Sequence, residues 1–501
     1  MSFMSEMKEL WKGRRAIGDR VGNWWNGYRT VRVAVIGGKA SGKTVFLTAL
    51  ANHLQNHDGS VFPLGVDVIW DPNENQQEEL HGFRRFPYSV AHDKLGQGEW
   101  PDKTFSESIL AMRLKLTHPD GRQEYVQLEL LDIPGERIAD FVMLDRSYEE
   151  WCRWMQKSLA GPDGKNAAYR DYLKKVEVDR PDDESVLLDA YRDYLKKEFE
   201  SFSPFLTPST IKLGLGGKKE DLHGSKTPEG FREAISSVPI GFTDEDGTVN
   251  QFVPLPESCL GKEAWRDMIT RFGIAYDRYK AKVLLPTKDW LEGDWRTPGA
   301  TKLFYLVDTL HLLQEGEKAW CAQKECGEAI IGMLCPRKPY VAWRRGWEWL
   351  KGVLWKTRID TVYVVATKSD RVCSDQRNNL ANLAKALLGR ALDNLADGVT
   401  SDVLSCAAVC ATQEKLVDGE RGLQGWLVEE GAERQCGSHT SWIPSTVPPV
   451  PPRSAEEWKN RQISGEFNYP EVFPGFAFST GQSQPPQYLG LNTLVKEMLA
   501  E

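Results

Sequence analysis

The chain predicts an α/β fold: a mostly parallel sheet with helices on both faces, built round a phosphate-binding loop and carrying a largely helical insertion. Three observations carry this. Apolar runs of β type alternate with helical periodicity. A glycine-rich loop, Gly37-Gly38-Lys39-Ala40-Ser41-Gly42-Lys43-Thr44, joins the first such run to a helix. From residue 146 to residue 300 the pattern changes to charged helix and a Gly/Pro/Ser-rich stretch.

The elements follow in order. Val31-Arg32-Val33-Ala34-Val35-Ile36 is β-branched and reads as a buried strand, and Phe46, Leu50 and Leu54 mark one face of the helix after the loop. Two strands, Ile109–Leu116 and Tyr125–Leu131, flank the turn signal Pro119-Asp120-Gly121. The insertion repeats eight residues, Ala168–Lys175 recurring as Ala190–Lys197, which makes a duplicated helix and is too little for a solenoid. Gly214-Leu215-Gly216-Gly217 reads as a bend. Strands resume at Leu303–Val307 and Thr361–Ala366, with a mostly helical stretch between them that includes the Trp-rich Trp343–Trp355. A last strand is expected from Val403 to Cys410, then a stiff proline-rich linker, Pro444–Pro452, and a closing helix, Leu491–Leu499. The expected organisation is an amphipathic helix over 1–29, a nucleotide domain in two parts, 30–145 and 301–501, and the insertion at 146–300.

Bulk properties remove several classes. The net charge of -8 gives no global field toward nucleic acid or anionic lipid. Nine cysteines are scattered without paired CxxC spacing, which argues against a disulfide framework or a zinc site and fits a reducing compartment. No apolar run approaches the roughly 18 residues of a membrane span. The amino terminus lacks the apolar core of a signal peptide, so a cytoplasmic protein is expected. The aromatic-basic segments 11–29 and 343–357 could be membrane-surface helices, but packing on the nucleotide domain suits their shortness and the acidic charge better. The proline-rich stretch could recruit a partner, but a plain spacer suits it better.

The loop matches G-x-x-x-x-G-K-[ST]. Backbone N–H groups from Gly37 through Gly42 can curl round a phosphate, and the following helix, with Val45 in its first turn, offers its N-terminus to negative charge. Lys43 then reaches the β- and γ-phosphates, and the Thr44 hydroxyl holds Mg²⁺. Asp132-Ile133-Pro134-Gly135 fits D-x-x-G, where the aspartate supports Mg²⁺ and the glycine N–H meets the γ-phosphate. Asp93–Gly96 and Asp244–Gly247 match as well; only Asp132 ends an apolar strand, which selects it. Thr367-Lys368-Ser369-Asp370 fits [NT]-K-x-D at another strand end. There the aspartate accepts from guanine N1–H and N2–H₂, and the lysine stem covers the ring. Adenine lacks those donors and leaves the carboxylate unpaired, at a cost of about 1–3 kcal/mol. Cys410-Ala411-Thr412 stands where a backbone N–H would meet guanine O6. Thr104, in Trp100-Pro101-Asp102-Lys103-Thr104, is the candidate sensing threonine for Mg²⁺.

In this order the motifs resemble the bacterial YcjX-like P-loop GTPases, a stress-inducible cytosolic family. The likeness extends to Phe252-Val253-Pro254-Leu255-Pro256, to Leu306-Val307-Asp308-Thr309-Leu310 and to Trp458 after the proline-rich segment, so it spans nearly the whole chain. It implies a Ras-like nucleotide domain with a helical insertion, GTP and GDP binding, remote similarity to heterotrimeric G-protein α-subunits and a link to stress responses. One departure stands out. Where small GTPases place a water-orienting glutamine, this chain has Glu136, whose charge sits beside a γ-phosphate already negative. Slow hydrolysis aided by a cation is the expectation, with Lys103, Arg137 and Arg146 nearby. The leading reading is a GTPase switch acting on a protein effector. An ATP-using P-loop enzyme and a nucleotide-loaded scaffold with little turnover are the alternatives.

Overall fold

The computed structural model describes residues 29–38, 41–56, 65–70, 79–102, 106–160, 166–178, 183–200, 207–209, 239–244, 246–294, 298–335, 359–428, 436–474 and 488–499. Segments 1–28, 210–238 and 336–358, which hold the expected amphipathic helix, the glycine bend and the Trp-rich stretch, lie outside the described residues.

The first half contains β1 (Arg29–Gly37), α1 (Lys43–Asn56), β2 (Gly65–Trp70), β3 (Glu79–Leu80), β4 (Phe83–Arg85), α2 (Tyr88–Gly96), β5 (Ser108–Thr117) and β6 (Gln123–Pro134). A 3-10 segment, Gly135–Met143, leads into the insertion. The insertion comprises α3 (Tyr148–Ala160), α4 (Ala167–Val178), α5 (Glu184–Glu200), the hairpin β7 (Gly241–Thr243) and β8 (Val249–Gln251), α6 (Arg266–Tyr279) and α7 (Leu285–Glu292). The sheet then resumes with β9 (Lys302–Val307), α8 (Thr309–Glu315), α9 (Glu317–Leu334), β10 (Thr361–Ala366), α10 (Arg377–Asp393) and β11 (Thr400–Ser405). Beyond it lie β12 (Thr412–Val417), β13 (Glu420–Val428), β14 (Cys436–Trp442), α11 (Ala455–Ile463), β15 (Val472–Phe473) and α12 (Leu491–Leu499).

Nine strands form one sheet in the order β11-β10-β9-β1-β6-β5-β4-β3, with β2 also paired to β5. The five strands from β11 to β6 are parallel. The hairpin that Pro119-Asp120-Gly121 closes makes β5 antiparallel to β6. All six residues of β9 are buried, as a near-continuous apolar run requires in a parallel sheet covered on both faces. Alternation along β1 separates two cores. Val31, Val33 and Val35 pack with Phe46 and Leu50 of α1 and with α12. Ala34 and Ile36 pack on the other face, in one continuous cluster with the insertion's Trp151, Tyr276 and Tyr279.

The last parallel strand is Thr400–Ser405, three residues earlier than the apolar run Val403–Cys410 suggests. Cys406 N–H bonds the Ala366 carbonyl (2.8 Å), and Ala407 pairs with Leu489 (3.0 and 2.8 Å). The apolar residues Val409, Cys410 and Ala411 are therefore buried in a loop and not in a ladder. A second sheet, β12-β13-β14 with β15, follows. The proline-rich stretch is docked and does not span solvent: Val447 is fully buried, its N–H bonds Gln376 Oε1 (2.7 Å), and its carbonyl accepts from Asn379 (2.8 Å) at the start of α10. Among the described residues no helix is long and apolar enough to cross a membrane.

Candidate nucleotide-binding site

Parallel strands in register deliver their loops to one edge. Gly37 at the end of β1 stands opposite Pro134 of β6 and Leu306 of β9. Ala366 of β10 stands opposite Val307 of β9 and Ser405 of β11. The carboxyl ends of such strands form the crevice in which open α/β sheets hold ligands.

The phosphate loop begins at Gly37, and Lys39 and Ala40 lie outside the described residues. Ser41 N–H bonds the Gly38 carbonyl (3.3 Å), and Gly42 O accepts from Phe46 N–H (2.8 Å), so Gly42 opens α1. Lys43 Nζ donates back to Gly37 O at 2.8 Å, spanning the loop. Thr44 and Val45 occupy the first turn of α1, which carries no acidic residue to compete with an anion. Ser41 is buried, yet its hydroxyl has no hydrogen-bond partner among the described residues. Gly37, Gly38 and Gly135 are all set by crowding. A Cβ on Gly38 would lie 2.5 Å from Gln323 Oε1, and one on Gly135 would lie 2.9 Å from the Gly37 carbonyl. The D-x-x-G glycine thus sits directly on the phosphate loop. An orphaned hydroxyl, a helix N-terminus and glycines held against the loop backbone together fit a phosphate group.

Asp132 is buried at the end of β6, opposite Val35 of β1 and Ser108 of β5. Glu136, half-buried, lies in the first turn of the 3-10 segment, and its charge acts on Tyr305 of β9. Gln323 of α9 donates to the Tyr305 hydroxyl at 2.6 Å, so a polar pair lies beneath Gly38 in an otherwise apolar face. Thr104 and Lys103 lie outside the described residues; Trp100, just before them, donates from its indole to Val472 O at 2.7 Å.

At the other end of the crevice, Thr367 anchors to Val307 O through its N–H (2.9 Å) and hydroxyl (3.2 Å). Lys368 adopts a left-handed conformation (φ 59°) and pairs with the buried carboxylate of Asp308. Asp308 in turn caps α8 by accepting from His311 N–H (3.0 Å). Burial works to raise the Asp308 pKa, but Lys368 and Arg371 outweigh it and hold the carboxyl below its ordinary value. Asp370 is buried, accepts from Ala411 N–H at 2.8 Å, and its carbonyl accepts from the Thr412 hydroxyl. Burial pushes the Asp370 carboxyl above its ordinary range. The same burial lifts the Cys410 thiol to about 12, so it is no nucleophile at neutral pH.

The structure therefore brings Gly37, Ser41–Val45, Asp132, Gly135 and Glu136 together, and it joins Thr367, Lys368 and Asp370 to Ala411 and Thr412. Arg137 is committed elsewhere, to Glu107 (2.7 Å). Arg146 Nη1 donates to Val142 O at 2.5 Å and its guanidinium lies over Trp154 (5.1 Å). Sequence reasoning passed over Asp308, Tyr305 and Gln323 as site residues. Asp308 ends an apolar strand as Asp132 does, and that was the available signal.

Known proteins carry the same arrangement of sequence. The chain is similar to the Ras-like GTPase YcjX of Escherichia coli K12, 27% identical over 432 residues that cover 81% of this chain and 84% of that protein. It is similar also to the Ras-like GTPase YcjX of Shewanella oneidensis MR-1, 22% identical over 426 residues, or 79% and 80% of the two chains. The model of the YcjX-like family, DUF463, matches residues 31–210 and 244–501. With the Gly37, Gly135 and Thr367–Asp370 loops on one edge of a Ras-like sheet, and with that match over most of its length, the chain belongs to the YcjX-like family.

Proposed function

We propose that the chain binds GTP and GDP with Mg²⁺, hydrolyses GTP slowly, and acts as a stress-related switch. Asp370 carries the guanine reading. A buried carboxylate facing a backbone N–H at a strand end costs desolvation that adenine cannot offset, whereas guanine supplies two donors. The names of the two relatives support GTP as the nucleotide. Thr44 and Asp132, with Thr104, are the residues that would hold Mg²⁺, which neutralises charge on the β- and γ-phosphates when bound. Lys43 would leave Gly37 O for the phosphates, and Gly135 N–H would meet the γ-phosphate. Glu136 would orient water, though less effectively than an uncharged amide would, because its own charge stands beside the γ-phosphate.

Titration with fluorescent GDP and ADP tests the base. Wild type should prefer GDP on the order of tenfold or more, and Asp370→Asn should move preference toward xanthosine diphosphate. Equal binding of GDP and ADP would return the chain to the ATP-using class. Turnover is tested separately, by single-turnover phosphate release from GTP. Glu136→Ala should slow it further; an unchanged rate removes Glu136 from the chemistry, and wild-type release no faster than buffer favours a nucleotide-loaded scaffold.

A further inference from the structure

The segment that follows Gly135 is not a free loop. Arg137 is 4% exposed and Asp140 fully buried. Arg137 Nε meets Glu107 Oε1 at 2.7 Å, and its Nη1 meets the Ser209 hydroxyl at 3.0 Å and the Tyr279 hydroxyl at 2.7 Å. Asp140 accepts the Tyr279 O–H and the Ser209 N–H (3.0 and 2.9 Å). Burial opposes the Arg137 charge, but Glu107, Tyr279 and Asp140 outweigh it and raise the guanidinium pKa above its ordinary value. Three pieces of chain meet here. Glu107 lies three residues after Thr104, Arg137 two residues after Gly135, and Ser209 and Tyr279 belong to the insertion. A second tie runs parallel, from the Tyr276 hydroxyl to Met143 O at 3.0 Å.

We propose that this buried Glu107–Arg137–Asp140–Tyr279–Ser209 network is the coupling element that carries nucleotide state into the helical insertion, making the insertion the body that reports GTP. The inference rests on the guanine-switch reading of the site. Its physical basis is stiffness. A γ-phosphate that draws in Gly135 moves a segment whose buried Arg137 and Asp140 are already bonded to the insertion. Breaking those bonds would strand a buried charge, which is far costlier than displacing the insertion with them. Arg137 is thereby a positioning residue and not a hydrolytic cation.

Hydrogen exchange of the full-length protein, with Mg²⁺ and either GDP or a non-hydrolysable GTP analogue, tests it. Wild type should show a difference between the two states in α3 and α6. Tyr279→Phe should lose that difference while still binding GDP as wild type does. Ser209→Ala, which removes the hydroxyl but keeps the backbone N–H that Asp140 accepts, should lose part of it. Tyr148→Phe is the control: it deletes a buried hydrogen bond to Val253 O (2.6 Å) inside the insertion and away from the network, and should keep the difference. A difference retained in Tyr279→Phe overturns the proposal, as does one lost equally in Tyr148→Phe. Wild type that binds both nucleotides without any difference in the insertion also overturns it. Failure of wild type to bind either guanine nucleotide sinks the guanine reading itself, a result visible in the binding step before exchange is measured.

Discussion

Gly38 occupies a position of the phosphate-loop motif where most residue types are permitted, yet a methyl there would meet Gln323 Oε1 at 2.5 Å. Gln323 is the tip of a flexible side chain, held by the Tyr305 hydroxyl. Gly38→Ala should therefore cost about 1 kcal/mol, the lower end of overpacking. Gln323→Ala in the same chain should recover most of that loss. Gly135→Ala is a different case, because its methyl meets the Gly37 carbonyl, which is backbone and cannot step aside. It should weaken GDP binding, and Gln323→Ala should leave that defect untouched. A urea-unfolding double-mutant cycle with parallel GDP titrations checks both; equal rescue of the two glycine variants would remove the overlap explanation. The contrast explains what was legible at this scale. Lys43, Asp132 and Asp370 act through spacing along the chain and strand-end position, which a sequence displays. Asp308 shared the strand-end signal, but its pairing with Lys368 is tertiary; Gln323 acts through Tyr305 on another element, and nothing in its neighbours' identities announces that.

Elements were legible where one physical signal dominated. The runs that became β1, β9 and β10 are apolar and flanked by loop residues, and they fold as read. Shorter strands escaped because their pairing is tertiary. The hairpin of β12 and β13 did leave a mark, since Asp418-Gly419, both at positive φ, is the two-residue turn that matches strand twist. The duplicated helix turned out more informative than its length suggested. Tyr169 of α4 packs edge-on against Tyr194 of α5 (5.1 Å), and Tyr172 packs likewise against Tyr191 (5.1 Å). The first tyrosine of each copy thus meets the second tyrosine of the other, a local two-fold that follows when one self-complementary helix face is written twice. Composition misled at Pro444–Pro452. Proline stiffens a chain and removes donors, but it does not stop Val447 from filling an apolar socket beside α10.

For the whole molecule, the insertion and one face of the sheet share a continuous core, so the boundary drawn at residue 300 is not a gap in packing. Arg32 sits at that junction. It stands opposite Glu129 across β1 and β6 and pairs with it at 2.8 Å, with both residues buried. Arg32 also donates to Pro298 O (3.0 Å) and lies over the Trp290 ring of α7 (5.2 Å). Burial raises the Glu129 pKa, but His81 and Arg32 outweigh it, so the carboxyl lies below its ordinary value near 4.5. The sign follows from proton binding. Unfolded chain takes up the proton at higher pH than folded chain does, so the ionised pair stabilises fully above about pH 4.5 and its contribution is lost as pH falls through the lower, folded value. Glu129→Gln leaves Arg32 buried without its counter-charge and should cost about 3–5 kcal/mol at neutral pH. The gap between wild type and variant, read from urea midpoints, should stay level from pH 7 to about pH 5 and narrow only below about 4.5. Because Arg32 ties sheet to insertion, both should unfold in one transition in wild type. A variant gap that closes already between pH 7 and about pH 5 would show that Glu129 is not the group that locks the two halves together.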